Sequence, residues 1–225
     1  MVRFESVSVE YRRDSAQEAS RDVLRNVSFN VSTGSFWWIL GGAGTGKTTI
    51  LRLINMSRRP TRGEVVVFGV STDSVRRSVM PRLRRQIGII LQNGQLAPHL
   101  SAFDNVALPL RLQRRSESQV RADVIEMLRW MGLMSKLVSL PCDLSDSERQ
   151  RLLIARAVIS RPRLILADEP TANLDDNQTE RIIHLLSELH RLGSTVIIAS
   201  HSEALADRCP GSVIILSHNI LKDAG

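Results

Sequence analysis

Along the chain, short β-branched apolar runs alternate with longer stretches in which apolar residues recur every three or four positions. The short runs cover 2–9, the neighbourhood of 27–31, then 35–40, 64–68, 86–91, 164–167, 195–199 and 212–216. Runs of this length, bounded by turn residues, predict buried strands. Helical periodicity appears in 47–56, 178–191 and 203–209. Strands alternating with helices predict an α/β fold whose sheet is largely parallel, since parallel neighbours need long, usually helical, crossovers. The stretch 93–161 differs. It carries no strand pattern and is periodic over 120–130 and 148–159, which predicts a helical subdomain inserted into the α/β core. With neither an internal repeat nor a low-complexity linker, residues 1–225 are expected to form a single domain with two lobes.

Composition narrows the class. A chain of 225 residues, 43% of them apolar, can bury one sizeable core, which argues against disorder and against a small disulfide scaffold. The two cysteines, Cys142 and Cys209, lie far apart without metal-ligand spacing and fit a reducing cytoplasm. The first ten residues alternate and carry Arg3 and Glu5, unlike a signal or transit peptide. No run approaches the roughly 20 apolar residues that cross a bilayer. The net charge is +7, and only Lys47, Lys136 and Lys222 among the 30 basic residues are lysines. Such an arginine excess suits nucleic acid, an anionic membrane face or simply a biased genome. No basic block is interleaved with aromatics, as single-strand binding requires.

The candidate chemistry begins after the run 35–40. Gly41-Gly42-Ala43-Gly44-Thr45-Gly46-Lys47-Thr48 matches G-x-x-x-x-G-K-[ST] at every fixed position, in a strand-loop-helix context, with Thr49 next in the helix. Glycines let successive N–H groups turn toward one anion, and the helix that starts there adds its positive end. Lys47 is expected to reach the β and γ phosphates of ATP, and Thr48 to hold Mg²⁺. The apolar run 164–167 ends in Asp168 and Glu169. Acids at the C-terminal end of a parallel strand sit where open α/β sheets bind ligands, so Asp168 is a candidate for Mg²⁺ and Glu169 for polarising a water. The fold class expected is therefore α/β with a P-loop NTPase core.

Five further elements resemble, in order, the nucleotide-binding subunits of ABC transporters. Gln92 looks like the Q-loop glutamine, Leu144-Ser145-Asp146-Ser147-Glu148 stands at the LSGGQ signature, and Ala172-Asn173-Leu174-Asp175 looks like the D-loop. His201 looks like the switch histidine, and Tyr11 like the aromatic that stacks on adenine. The resemblance spans the whole chain and implies an ABC-type ATPase with an added antiparallel β subdomain. It also implies that Gln92 contacts Mg²⁺ and senses the γ-phosphate, that His201 contacts the γ-phosphate, and that Ser145 faces a partner's nucleotide. Two copies would then bind head to tail as an ATP-dependent homodimer. Within the family, 79–88 and 103–110 are similar to the FtsE group of bacterial cell-division proteins, while the lipoprotein-release and macrolide-export ATPases share mainly the second stretch. For that group the resemblance implies an FtsX-like permease as membrane subunit, possible contact with other division proteins, and a place at the cytoplasmic face of the inner membrane. No nucleic-acid partner is implied, since the DNA-repair relatives insert long coiled coils where only about a hundred residues intervene here.

The signature departs from the family pattern, with Asp146 and Ser147 replacing both glycines and Glu148 replacing glutamine. Ser145 and Glu148 fit a helix capping box. Asp146 would face the partner's ATP, and two like charges about 5 Å apart at an effective dielectric near 20 repel by about 3 kcal/mol, roughly a hundredfold in affinity. Either local arginines such as Arg149 and Arg151, or bound Mg²⁺, offset this charge and ATP is hydrolysed slowly, or the chain is an ATP-binding scaffold with little turnover. Arg76, Arg77, Arg82, Arg84 and Arg85, with Arg111, Arg114 and Arg115, flank the Q-loop and are expected to meet anionic lipid.

Overall fold

Apolar residues alternating with polar ones form an antiparallel ribbon of β1 (Val2–Tyr11) and β2 (Arg21–Val31). The computed structural model describes residues 1–11, 21–91, 94–209, 211–217 and 220–224, without the side chains of 11, 21 and 222–224. The two-residue period breaks between Phe4 and Val7, where the register shifts and Ser6 adopts φ 48. The Ser6 N–H donates to Ser28 Oγ at 2.8 Å. The bulge keeps Phe4 and Val7 on the same buried face. β2 starts well before the apolar cluster at 27–31, because its polar first half is held by pairing with β1, Glu10 opposite Asp22 and Tyr11 opposite Arg21. With β4 (Arg62–Val67) and β5 (Val70–Ser71) the ribbon forms a four-stranded antiparallel sheet in the order β2-β1-β4-β5.

The second sheet contains β3 (Phe36–Leu40), β6 (Ile87–Ile90), β7 (Leu164–Asp168), β8 (Thr195–Ser200), β9 (Ser212–Ser217) and β10 (Ile220–Ala224), in the order β10-β9-β3-β8-β7-β6. Its strands are parallel except β10, which returns antiparallel along β9. One face, with Ile39, Leu164, Leu166 and Ile197, packs with α1 (Lys47–Ile54) and the antiparallel sheet. The other, with Trp38, Ile165, Val196 and Ile198, packs with the helices that follow β6 in the chain. Cover on both faces is why these strands read as unbroken apolar runs.

The helical lobe consists of α3 (Ala102–Leu112), α4 (Glu117–Trp130) and α5 (Asp146–Val158), with 3₁₀ turns at Met134–Lys136 and Pro141–Asp143. The sequence pattern did not predict α3, which carries Pro109 in its interior. It is stabilised from outside its own periodicity: Ser101 caps it, and fully buried Asn105 binds the preceding loop, accepting from Ala97 N–H and donating to the carbonyls of Ala97, Leu100 and Ser101 at 2.8–3.1 Å. The short α2 (Met80–Arg84) was likewise unpredicted, whereas α6 (Asp176–Arg191) and α7 (Glu203–Arg208) follow the periodicity.

Candidate functional site

The parallel register places Leu40 beside Ser200 and Asp168 beside Ala199, so β3, β8 and β7 end side by side. The loop 41–46 leaves β3 at this edge and enters α1 through Gly46, the N-cap, at φ 105. A Cβ on Gly46 would lie 2.7 Å from both the Leu24 side chain and Val23 O, so the turn requires glycine for conformation and for space. The amide end of α1 is thereby left open, with Gly42, Ala43 and Gly44 exposed. Thr45 Oγ1 donates to Gly42 O at 3.0 Å, and Thr49 is buried in the first turn of α1.

The charged groups meet at the strand ends. Lys47 Nζ donates to Gly41 O at 2.6 Å and Gly42 O at 3.0 Å, and lies 3.9 Å from Glu169 Oε1. Thr48 Oγ1 donates to Asp168 Oδ2 at 2.7 Å. Burial pushes the Asp168 carboxyl above its ordinary range, an effect the Thr48 hydrogen bond opposes and the neighbouring Glu169 charge reinforces. Glu169, with φ 47, turns its carboxylate away from Asp168. Its Oε1 lies 2.9 Å from His201 Nδ1, and its Oε2 accepts from Ser200 Oγ at 3.2 Å. Ser200 Oγ also accepts from Ser202 N–H at 3.1 Å, tying the Glu169 carboxylate to the backbone after β8.

The structure thus brings together Lys47, Thr48, Asp168, Glu169 and His201. Ser145 lies apart from them on the helical lobe as the N-cap of α5, its Oγ accepting from Glu148 N–H while the Glu148 carboxylate accepts from Ser145 N–H. Asp175 N-caps α6 by accepting from Gln178 N–H at 2.8 Å. Gln92 and the Tyr11 side chain lie outside the described residues. Of the arginines expected to offset Asp146, only Arg149 does so, at 2.7 Å. Arg151 is aimed at the carbonyls of Met131 and Ser147 instead. Ser200 and Gln150 were missed. A serine ending a strand is ordinary in sequence, and the reach of buried Gln150 to Pro170 O at 2.9 Å follows no local pattern.

A phosphate-type loop opening α1, with two acids set on the strand two places away in the sheet, defines a nucleotide-hydrolysing P-loop core, and the helical lobe between them narrows the class. Residues 24–172 match the family described as ABC transporter, and the chain belongs to it as an ABC-type ATPase. It is 38% identical over 217 residues to the cell division ATP-binding protein FtsE of Escherichia coli K12, covering 96% of this chain and 95% of that protein. It is 36% identical over 208 residues to the methionine import ATP-binding protein MetN 1 of Salmonella paratyphi A, covering 91% of this chain but 61% of that protein. Among solved structures, the ATP-binding cassette MJ0796, dimeric and in a post-hydrolysis state bound to ADP and Pi, superimposes with a TM-score of 0.91. That match is 33% identical and covers 99% of this chain and 97% of the other.

Proposed function

We propose that this chain is the ATP-hydrolysing subunit of an FtsEX-like complex, binding ATP on residues 41–49, dimerising head to tail around it, and driving an FtsX-like membrane subunit that regulates cell division and cell-wall hydrolysis. The observation that carries the hydrolytic part is the continuous contact path from Lys47 through Glu169 to His201 beside the Thr48–Asp168 pair. Glu169, held from two sides by Ser200 and His201, is suited to accept a proton from water as its oxygen bonds to the γ-phosphorus; the bond to the β–γ bridging oxygen then breaks and its electron pair leaves with ADP. Lys47 and the amides of α1 neutralise phosphate charge, His201 contacts the γ-phosphate, and Tyr11 stacks on adenine in this reading. The donor set fits Mg²⁺: a hydroxyl and a carboxylate 2.7 Å apart are hard oxygen ligands, and the buried Asp168 charge lacks full compensation. Among the described residues no group of three or more His, Cys, Asp or Glu could hold a metal ion; in this reading Gln92 would contact Mg²⁺ as well. When bound, the ion supplies charge neutralisation on the β and γ phosphates; Thr48 and Asp168 orient it.

The cell-division role is supported by the relative's name and by coverage of nearly its full length, and a membrane partner by membership of the ABC transporter family and by a groove of about 280 Å³ between the edge strand β6 and α3. Ile87, Ile89, Leu108 and Leu112 line it, with Arg85 and Arg156. Such an apolar cleft suits a helix contributed by a membrane subunit at the inner face of the membrane. Among the described residues no helix is long and apolar enough to cross a membrane. A second reading, an ATP-binding scaffold with little turnover, is favoured by the acidic signature alone. Phosphate release by the chain with its membrane partner, compared with Glu169→Gln, separates the two: a drop of at least about a hundredfold is expected, and equal release removes the hydrolytic reading. Copurification from host membranes should recover an FtsX-like permease; a lipoprotein-release permease in its place reassigns the partner.

A further inference from the structure

Three consecutive side chains near the start of α5 tether it to three segments. Arg149 donates to Pro141 O at 3.3 Å as well as pairing with Asp146, and Arg151 donates to Met131 O at 2.7 Å. Both contacts stay within the helical lobe. Gln150 lies between them, 4% exposed, and crosses to the α/β core, where its Nε2 donates to Pro170 O at 2.9 Å.

Pro170 immediately follows Glu169, whose left-handed φ of 47 has to be held by its surroundings. Two hydrogen bonds bracket this turn: Glu169 N–H donates to Ala199 O at 2.9 Å on one side, and Pro170 O accepts from the Gln150 side chain on the other. Burial removes water as a substitute partner, so loss of the Gln150 donor leaves the carbonyl unsatisfied next to the residue that aims the carboxylate.

We propose that Gln150 is a positioning residue that joins the signature segment to Glu169 and thereby couples the two nucleotide sites of a dimer. The inference rests on the head-to-tail ATPase reading, in which Ser145 of a chain faces the partner's nucleotide while its Glu169 serves its own. Ser145 and Gln150 belong to one continuous helix, capped at Ser145, so a shift of the signature on binding or release at one site moves the Gln150 amide and with it the turn that orients Glu169 at the other. The link runs inside each subunit and uses groups outside the phosphate loop.

Gln150→Met keeps the length and the apolar stem but has no donor. In the nucleotide-free full-length chain, amide hydrogen exchange over 169–172 should quicken about tenfold while the unfolding midpoint stays within about 2 °C of wild type. In turnover, kcat should fall about tenfold with KM within about twofold, and the Hill coefficient for ATP should drop toward 1. A variant that only loosened packing would lower the unfolding midpoint and leave the Hill coefficient in place. Unchanged exchange, kcat and Hill coefficient in Gln150→Met, beside a wild type that turns over cooperatively, overturn the link alone. A wild-type chain that neither hydrolyses ATP nor dimerises with ATP in a Glu169→Gln background overturns the underlying reading and the link with it.

Discussion

Asp168 and Glu169 are neighbours in the chain yet answer to different partners, because the left-handed backbone at Glu169 sends one carboxylate to Thr48 and the other to His201 and Ser200. A similar economy governs the signature. Asp146 is the most awkward charge for a nucleotide interface, with a side chain 79% exposed, and Arg149 lies against it at 2.7 Å. In water such a pair contributes little to folding, but a guanidinium beside the carboxylate cancels much of the repulsion a partner's phosphate would feel. Removing the shield should therefore matter more than removing the acid. Arg149→Ala is expected to weaken ATP-dependent dimerisation about tenfold, and Asp146→Gly to strengthen it by less than that. Light scattering in a Glu169→Gln background reads both, and additive effects in the double variant would show that the pair does not act as a unit.

At the level of elements, α3 shows how a helix poor in local signal is stabilised. Its interior proline removes an N–H, and its first turn depends on a buried asparagine that fastens residues 97–101 across its start. Asn105→Leu leaves an amide and three carbonyls without that partner in a closed space. Destabilisation on the order of 3 kcal/mol is expected, which for a domain of this size lowers the melting temperature by about 6–12 °C. Calorimetry checks this, and a change below about 1 kcal/mol would mean that the loop finds other donors. α3 and α4 share an apolar core with Val106, Leu110, Val120 and Val124, and ion pairs lie over their join: Arg111 binds Asp104 of its own helix at 2.8 Å and Glu117 at 2.9 Å, and Arg115 binds Asp123 at 3.1 Å. Hydrogen bonds from Ser101 and then Arg111 hold the Asp104 carboxyl below its ordinary range.

Across the whole molecule, Arg111 and Arg115, both expected to meet lipid, are engaged in those ion pairs with side chains 37% and 39% exposed. Arg84 is engaged with the carbonyls of Asn55 and Met56, and Arg114 is exposed. Arg76, Arg77, Arg82 and Arg85 are exposed, and Arg85 lines the apolar groove. In the proposed assembly, reversing these four to Glu should reduce binding to anionic vesicles at least tenfold at low salt, on the order of 1 kcal/mol per charge; unchanged co-sedimentation would remove lipid as the target of the arginine excess. The parallel core and the phosphate loop were legible because both are local, an apolar run of strand length or a fixed spacing of glycine, lysine and threonine along a single turn. β10, α2, α3 and the early start of β2 were not: β10 and the start of β2 are held by pairing with β9 and β1, α3 carries an interior proline, and α2 is five residues long without a side-chain cap. Sequence alone determined which chemical groups stand at the strand ends, because residue type and short-range geometry suffice for that. Only the tertiary structure decided which groups touch: Thr48 reaches Asp168 across 120 residues, Gln150 finds Pro170, and Arg149 rather than Arg151 covers Asp146. Those contacts depend on sheet register and helix packing, which set distances between residues far apart in the chain.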